Sequence, residues 1–287
     1  ANGNIAITPN GTGAIQLDGL SWPTVDGSTD QVLKTDGSGT LSWSSAATSI
    51  NGLSDALVED NSTYLGNDPS STTDDALRNV AVGLIALDAI TTGDNNVAVG
   101  YNALTANTTG SHNIGIGYNA LKANVGGTSN AAIGYGSLAS NTSGQFNTGV
   151  GSSSLNANIN GQRNVGIGNS SLRDNSSGNY NTAVGKSSGQ SITTGDDNVT
   201  IGHQAGILLT TGNYNTILGS DSDPSAEDAI NQTMIGYNVT GQADNSVVLG
   251  NADVTDIYMA QDKGATVHAA GADLSGSTGL ILENDET

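Results

Sequence analysis

The sequence predicts an all-β protein whose centre is a parallel β-roll, a solenoid of 17-residue repeats, with small β modules at both ends. Three observations carry this. Gly83, Gly100, Gly117, Gly134, Gly151, Gly168, Gly185, Gly202, Gly219 and Gly236 follow one another at one constant interval, and Gly250 follows after a shorter one. A fixed period this short is the signature of one coil stacked on the next. The residue before each of these glycines is large and apolar, from Val82, Val99, Ile116 and Ile133 to Ile235. The residue four before is Asn in nine successive rungs, from Asn79 to Asn215, with Gln232 in the tenth place.

Taken in order, residues 1–50 read as an N-terminal β module. "NIAIT" and "GAIQLDGLSWP" alternate apolar and polar residues, and Asn10-Gly11, Asp18-Gly19, Asp26-Gly27 and Asp36-Gly37 are turn signals. Residues 51–78 read as a connector. Ile50, Leu53 and Leu57 have helical spacing, Ser54-Asp55 suits the opening of a short helix, and "GNDPSSTTDD" is a linker. The roll itself occupies residues 79–250, and residues 251–287 break the period as a C-terminal β segment.

Within a rung, neighbouring residues of a strand point to opposite faces. The expectation is that the large column fills the interior. The small column two residues before each glycine (Ala81, Ala98, Gly115, Ala132, Gly149, Gly166, Ala183) then faces a close-approaching sheet or subunit. The Asn column, including Asn96, Asn113, Asn130, Asn147, Asn164 and Asn181, is expected at a corner with unusual backbone angles, each amide bonding the amides above and below. Gly100, Gly117, Gly134, Gly151, Gly168 and Gly185 are expected at a tight corner with positive φ. A second glycine column runs from Gly93 to Gly212. Between the columns a second strand, such as "ALTAN" or "SLNAN", carries Leu87, Leu104, Leu121, Leu138, Leu155 and Leu172 inward. One rung cannot offset its own chain entropy, but a stack can.

Composition narrows the function. Lys plus Arg is 7 and Asp plus Glu is 27, a net charge of −20. Such a chain repels bare nucleic acid and anionic membrane. It has no Cys, hence no disulfide framework or thiolate metal site. There is no apolar run of about 18 residues to span a membrane, and no signal-peptide pattern at Ala1. The first residue is not Met, so upstream sequence is expected to be missing.

The rung phrases "NVAVGYNAL", "NIGIGYNAL", "NTAVGKSSG" and "NSVVLG" resemble the head repeats of trimeric autotransporter adhesins. The resemblance covers the whole roll and implies a left-handed parallel β-roll with three chains side by side. The usual repeat of that family is shorter than most rungs here, and only the last step, from Gly236 to Gly250, matches its length. Heptad stalk and membrane-girdle strands are absent from the sequence. "TPNGTGAIQLDGLSWP" and "DGSTDQVLKTDGSGTLSW" resemble segments of tailed-phage virion proteins. "VTDIYMAQDKGATVHAAG" resembles the segment before the self-cleaving chaperone of phage fibres, which implies that Thr287 lies near a cleavage site.

Motifs of chemistry are decoys of the repeat. Gly115-Ile116-Gly117-Tyr118-Asn119-Ala120 fits a loose dinucleotide fingerprint but recurs without a following helix. Gly185-Lys186-Ser187 lacks the upstream glycine of a phosphate loop, where Tyr180 stands. His112, His203 and His268 show no metal spacing. The one weak metal candidate is the acidic loop of Asp221, Asp223, Glu227 and Asp228, suited to a hard cation or to plain solvation. The column before the Asn ladder holds Arg78, His112, Phe146, Arg163, Tyr180 and Tyr214, a stripe suited to stacking on sugar rings or to packing on a neighbouring subunit. The Tyr101, Tyr118, Tyr135 and Tyr237 column offers the same two readings.

The expected function is a non-enzymatic structural fibre protein without cofactors. It is a homotrimer in a phage tail fibre or other virion appendage, contacting other tail proteins and a host-surface glycan or protein. The alternatives are a bacterial surface adhesin or extracellular filament subunit, and a glycan-degrading tailspike. The tailspike needs paired carboxylates in one groove, and the rungs carry almost none.

Overall fold

The computed structural model describes residues 16–17, 20–23, 25, 27–29, 31–45, 56–59, 61–66, 72–73 and 75–257. The chain divides into two compact units, residues 1–251 and 252–287. Of the second, only 252–257 are described, and these form no strand. The C-terminal β segment and the turn at Asn10-Gly11 therefore lie outside the described residues.

Two hairpins come first among the described residues. β1 (Gln16–Leu17) pairs antiparallel with β2 (Leu20–Ser21), and β3 (Gln31–Thr35) pairs with β4 (Leu41–Ser45) across Asp36-Gly37; Asp18, Gly19 and Asp26 lie outside the described residues. The second turn is fastened by Asp36, whose Oδ1 accepts from the amides of Ser38 at 2.8 Å and Thr40 at 3.0 Å. These donors hold the Asp36 carboxyl at about 2, below its usual value.

The connector contains no helix among its described residues. Leu57 lies instead on β5 (Ala56–Glu59), which forms an antiparallel hairpin with β6 (Ser62–Leu65); Ile50 and Leu53 lie outside the described residues. β6 is itself the first rung, and pairs in parallel with β7 (Val80–Val82). Gly66 precedes Gly83 by the same interval as the later glycines, so the solenoid begins one rung earlier than expected. The sequence disguises that rung, because Ser62 occupies the Asn place and Tyr64 the small one.

The stack continues with β8 (Val97–Val99), β9 (Ile114–Ile116), β10 (Ala131–Ile133), β11 (Thr148–Val150), β12 (Val165–Ile167) and β13 (Thr182–Val184). It ends with β14 (Val199–Ile201), β15 (Thr216–Leu218), β16 (Thr233–Ile235) and β17 (Val247–Leu249). All lie in one 13-stranded sheet in strict sequence order, parallel from β6 onward. The register never slips, with Ala131 beside Thr148 and Thr148 beside Val165. This is a parallel β-solenoid of about eleven turns.

The expected interior is inverted. The small column faces inward: Ala81, Ala98, Ala132 and Ala183 are fully buried. The large columns face outward, with Val82 39 %, Ile116 36 %, Ile133 41 % and Ile167 41 % exposed. The cause is the width of the coil. The opposite arm sends Leu87, Leu104, Leu121, Leu138, Leu155 and Leu172 inward, all fully buried. One large side chain per rung fills the space, so its partner across the core must be small. Where the arm residue shrinks to Gly189 and Gly206, the strand residue grows to Thr200 and Ile217. A Cβ on Gly206 would lie 2.8 Å from Thr200 and 3.0 Å from Ile217.

The second arm is not a strand. It is a run of turns with left-handed backbone on alternate residues, as at Asn102 (φ 62°) and Leu104 (φ 51°). It still bonds rung to rung: the Leu104 amide donates to Ala120 O at 3.0 Å, and that of Ala106 to Lys122 O at 3.2 Å.

The Asn ladder is buried and continuous. Asn147 donates from its backbone amide and from Nδ2 to Asn130 Oδ1 at 3.0 and 3.2 Å, and from Nδ2 to Gly161 O at 2.8 Å. The unusual backbone angle belongs to the residue before each Asn, not to the Asn itself. A second ladder, not anticipated, runs through Asn107, Asn124, Asn141, Asn158 and Asn175, linked Nδ2 to Oδ1 at 2.7–2.9 Å. It stops where Ile192 takes the next place, leaving Asn175 Oδ1 without a hydrogen bond.

Candidate functional site

The ladder amides point inward, so the residue before each points outward. Its backbone is left-handed in every rung from Arg78 (φ 59°) to Asn245 (φ 58°). The amide of this residue donates to a carbonyl one rung back, as Phe146 does to Thr128 O at 3.1 Å and Tyr180 to Gln162 O at 3.0 Å. The backbone thus dictates the conformation, whatever the side chain. Asn or Asp is comfortable there, and the chain uses Asn95, Asp197, Asn231 and Asn245. Bulky side chains are not, at a cost of about 1–2 kcal/mol each. Phe146, Arg163, Tyr180 and Tyr214 nevertheless adopt it, at φ of 57–63°. They contribute nothing to the buried core, since Phe146, Tyr180 and Tyr214 are 48, 50 and 61 % exposed.

Three of these side chains form one stack. The Arg163 guanidinium carbon lies 5.3 Å from the Phe146 ring centroid and 5.3 Å from that of Tyr180. Its Nη1 donates to the Tyr180 hydroxyl at 2.9 Å. The inner faces of both rings are therefore occupied by the chain's own cation. His112 stands apart, two rungs before Phe146 with Ser129 between; Asn95 Nδ2 approaches its Nε2 at 3.5 Å. Tyr214 stands two rungs beyond Tyr180 with Asp197 between. The sequence stripe is thus one filled stack flanked by two gaps.

No family model matches this chain, nor does any curated protein or solved structure.

On the other border of the sheet, Tyr101 and Tyr118 stack at 5.5 Å and 14°, and Tyr118 and Tyr135 at 5.2 Å and 7°. Tyr237 lies six rungs further on. The two aromatic columns bracket the outward apolar columns of the strands.

The acidic loop does not assemble a metal site. Asp221 Oδ1 faces His203 Nδ1 at 3.4 Å, while Asp223 Oδ1 accepts from the Leu208 amide at 2.8 Å. Burial raises the Asp223 pKa, against the backbone donors that lower it. Glu227 serves through its carbonyl, which accepts from Thr210, Thr211 and Gly212. No group of three acidic or histidine side chains suited to a metal ion occurs among the described residues. No helix among them is long and apolar enough to cross a membrane.

Proposed function

We propose that this chain is a structural subunit of a homotrimeric fibre in a phage tail or other virion appendage, which attaches the particle to a host-cell surface glycan or protein. One observation carries the reading: the outward face of the sheet, where the column from Val82 to Leu249 is apolar in every rung and the column from Val80 to Val247 is apolar except at Thr148, Thr182, Thr216 and Thr233. With rungs about 4.8 Å apart, eleven steps give a face roughly 50 Å long. Its width between the aromatic columns is about 20 Å, so its area is on the order of 1,000 Å². Apolar patches on monomers rarely exceed a few hundred Å², whereas a standard interface takes about 800 Å² from each partner. A second copy at the same height meets this face with the same apolar column, rung for rung. The resemblance of the rungs to trimeric adhesin heads, and of the N-terminal phrases to virion proteins, supports the assignment. Repeated rungs on three chains turn weak contacts into avidity.

Light scattering is expected to give about three times the 28.6 kDa chain mass. Changing Ile116, Ile133 and Val150 together to lysine should lower it to one chain while the rungs persist by circular dichroism. A wild-type monomer at micromolar concentration would refute the fibre reading. Attachment is tested separately: the purified protein should block adsorption of the parent phage, and no competition at saturation would remove the host-binding role.

A further inference from the structure

We infer that the gap between Tyr180 and Tyr214, floored by Asp197, is a binding slot for a guanidinium group, the arginine side chain of a protein partner. The chain supplies the precedent. Phe146 and Tyr180 are two rungs apart and hold the Arg163 guanidinium between them, 5.3 Å from each ring. Tyr180 and Tyr214 are also two rungs apart, with backbone φ of 59° and 63° against 59° for Phe146. At about 4.8 Å per rung their rings stand roughly 10 Å apart, room for one planar group between two faces. In the filled gap the middle residue is the cation. In this gap it is Asp197, short, exposed and in the same left-handed conformation (φ 58°).

The charge sets the class of ligand. The Asp197 carboxylate has no hydrogen-bond or ion-pair partner among the described residues, although its backbone amide donates to Asn179 O at 3.0 Å. The neighbouring Asp196 is already engaged, its Oδ1 accepting from the Asn179 amide at 2.6 Å. The slot thus offers two ring faces and one carboxylate. Guanidinium fits all three, because it stacks on both faces and presents a fork of donors to the carboxylate. A neutral sugar would use the rings and leave the carboxylate without an ionic partner. The gap on the other side, between His112 and Phe146, is floored by Ser129 and lacks the acid. The slot is made within one chain, so the inference does not rest on the trimer or on the fibre reading.

Saturation-transfer NMR with N-acetyl-arginine amide tests it on the full chain. Saturable binding is expected, with N-acetyl-lysine amide and choline at least about fivefold weaker. Asp197→Asn and Tyr214→Asn should each weaken arginine binding about fivefold or more. Asn suits the left-handed backbone at both positions, so both variants should keep the wild-type melting profile. No saturable binding, unchanged affinity in both variants, or equal binding of lysine amide and choline would each overturn the assignment.

Discussion

Replacing Gly151 by alanine should destabilise the solenoid by about 3–5 kcal/mol, from left-handed strain and overpacking together. Gly151 has φ 130°, a region that side chains disfavour. A Cβ there would also lie 2.5 Å from the carbonyl oxygen of Gly168 and 2.6 Å from its carbon. That obstacle is the same corner of the next rung, fixed by the Gly168 amide donating to Val150 O at 2.7 Å. Relief requires two rungs to part, which breaks this bond and its neighbours. Gly126→Ala is the matched control. Its backbone is not left-handed, and its Cβ would meet nothing nearer than Thr109 Oγ1 at 3.4 Å. Removing chain entropy at such a site is neutral or stabilising by up to about 1 kcal/mol. Urea unfolding of both variants against wild type decides the matter, and equal midpoints would contradict the argument.

Asn147→Leu should cost about 2–4 kcal/mol, although leucine shares the branched outline of asparagine. Asn147 Oδ1 accepts from the Asn164 amide at 3.0 Å and from Asn164 Nδ2 at 3.2 Å. The substitution leaves that buried amide with no acceptor, an orphan worth about 1–3 kcal/mol, and it removes ordinary bonds besides. Gly161 O keeps the bond from Asn158 Nδ2 at 3.1 Å, so this carbonyl is not orphaned. Asn231→Leu, at an exposed position on the rim, should cost less, through its left-handed backbone and one exposed bond to Asn245. Denaturant titration of the two variants ranks them, and a larger loss at residue 231 would reverse the reasoning.

Much of this fold is legible in the sequence because the rungs do not slip. Constant steps identify which residues stack, and stacked Asn and Gly have few other uses. Which face turns inward was not legible from the strand. Alternation says that Val97 and Val99 share a face, but not which face it is. The answer lies in Leu104 on the opposite arm, whose bulk leaves room only for Ala98 or Gly115. The second arm reads as a strand because leucine in a left-handed turn defies its own preference. The second Asn column has the same period as the first and was open to discovery. At the site, the spacing aligned Phe146, Arg163 and Tyr180 but gave no role to Asp197. Its importance depends on the two rings beside it, which only the stacked backbone brings to bear.

The parallel register has a mechanical consequence. Rung-to-rung hydrogen bonds run along the solenoid axis, so tension applied between its ends loads them one rung at a time. A detached rung releases one whole repeat, about 6 nm of extended chain, in exchange for about 0.5 nm of solenoid height. The molecule is built to let out length in near-equal increments under load.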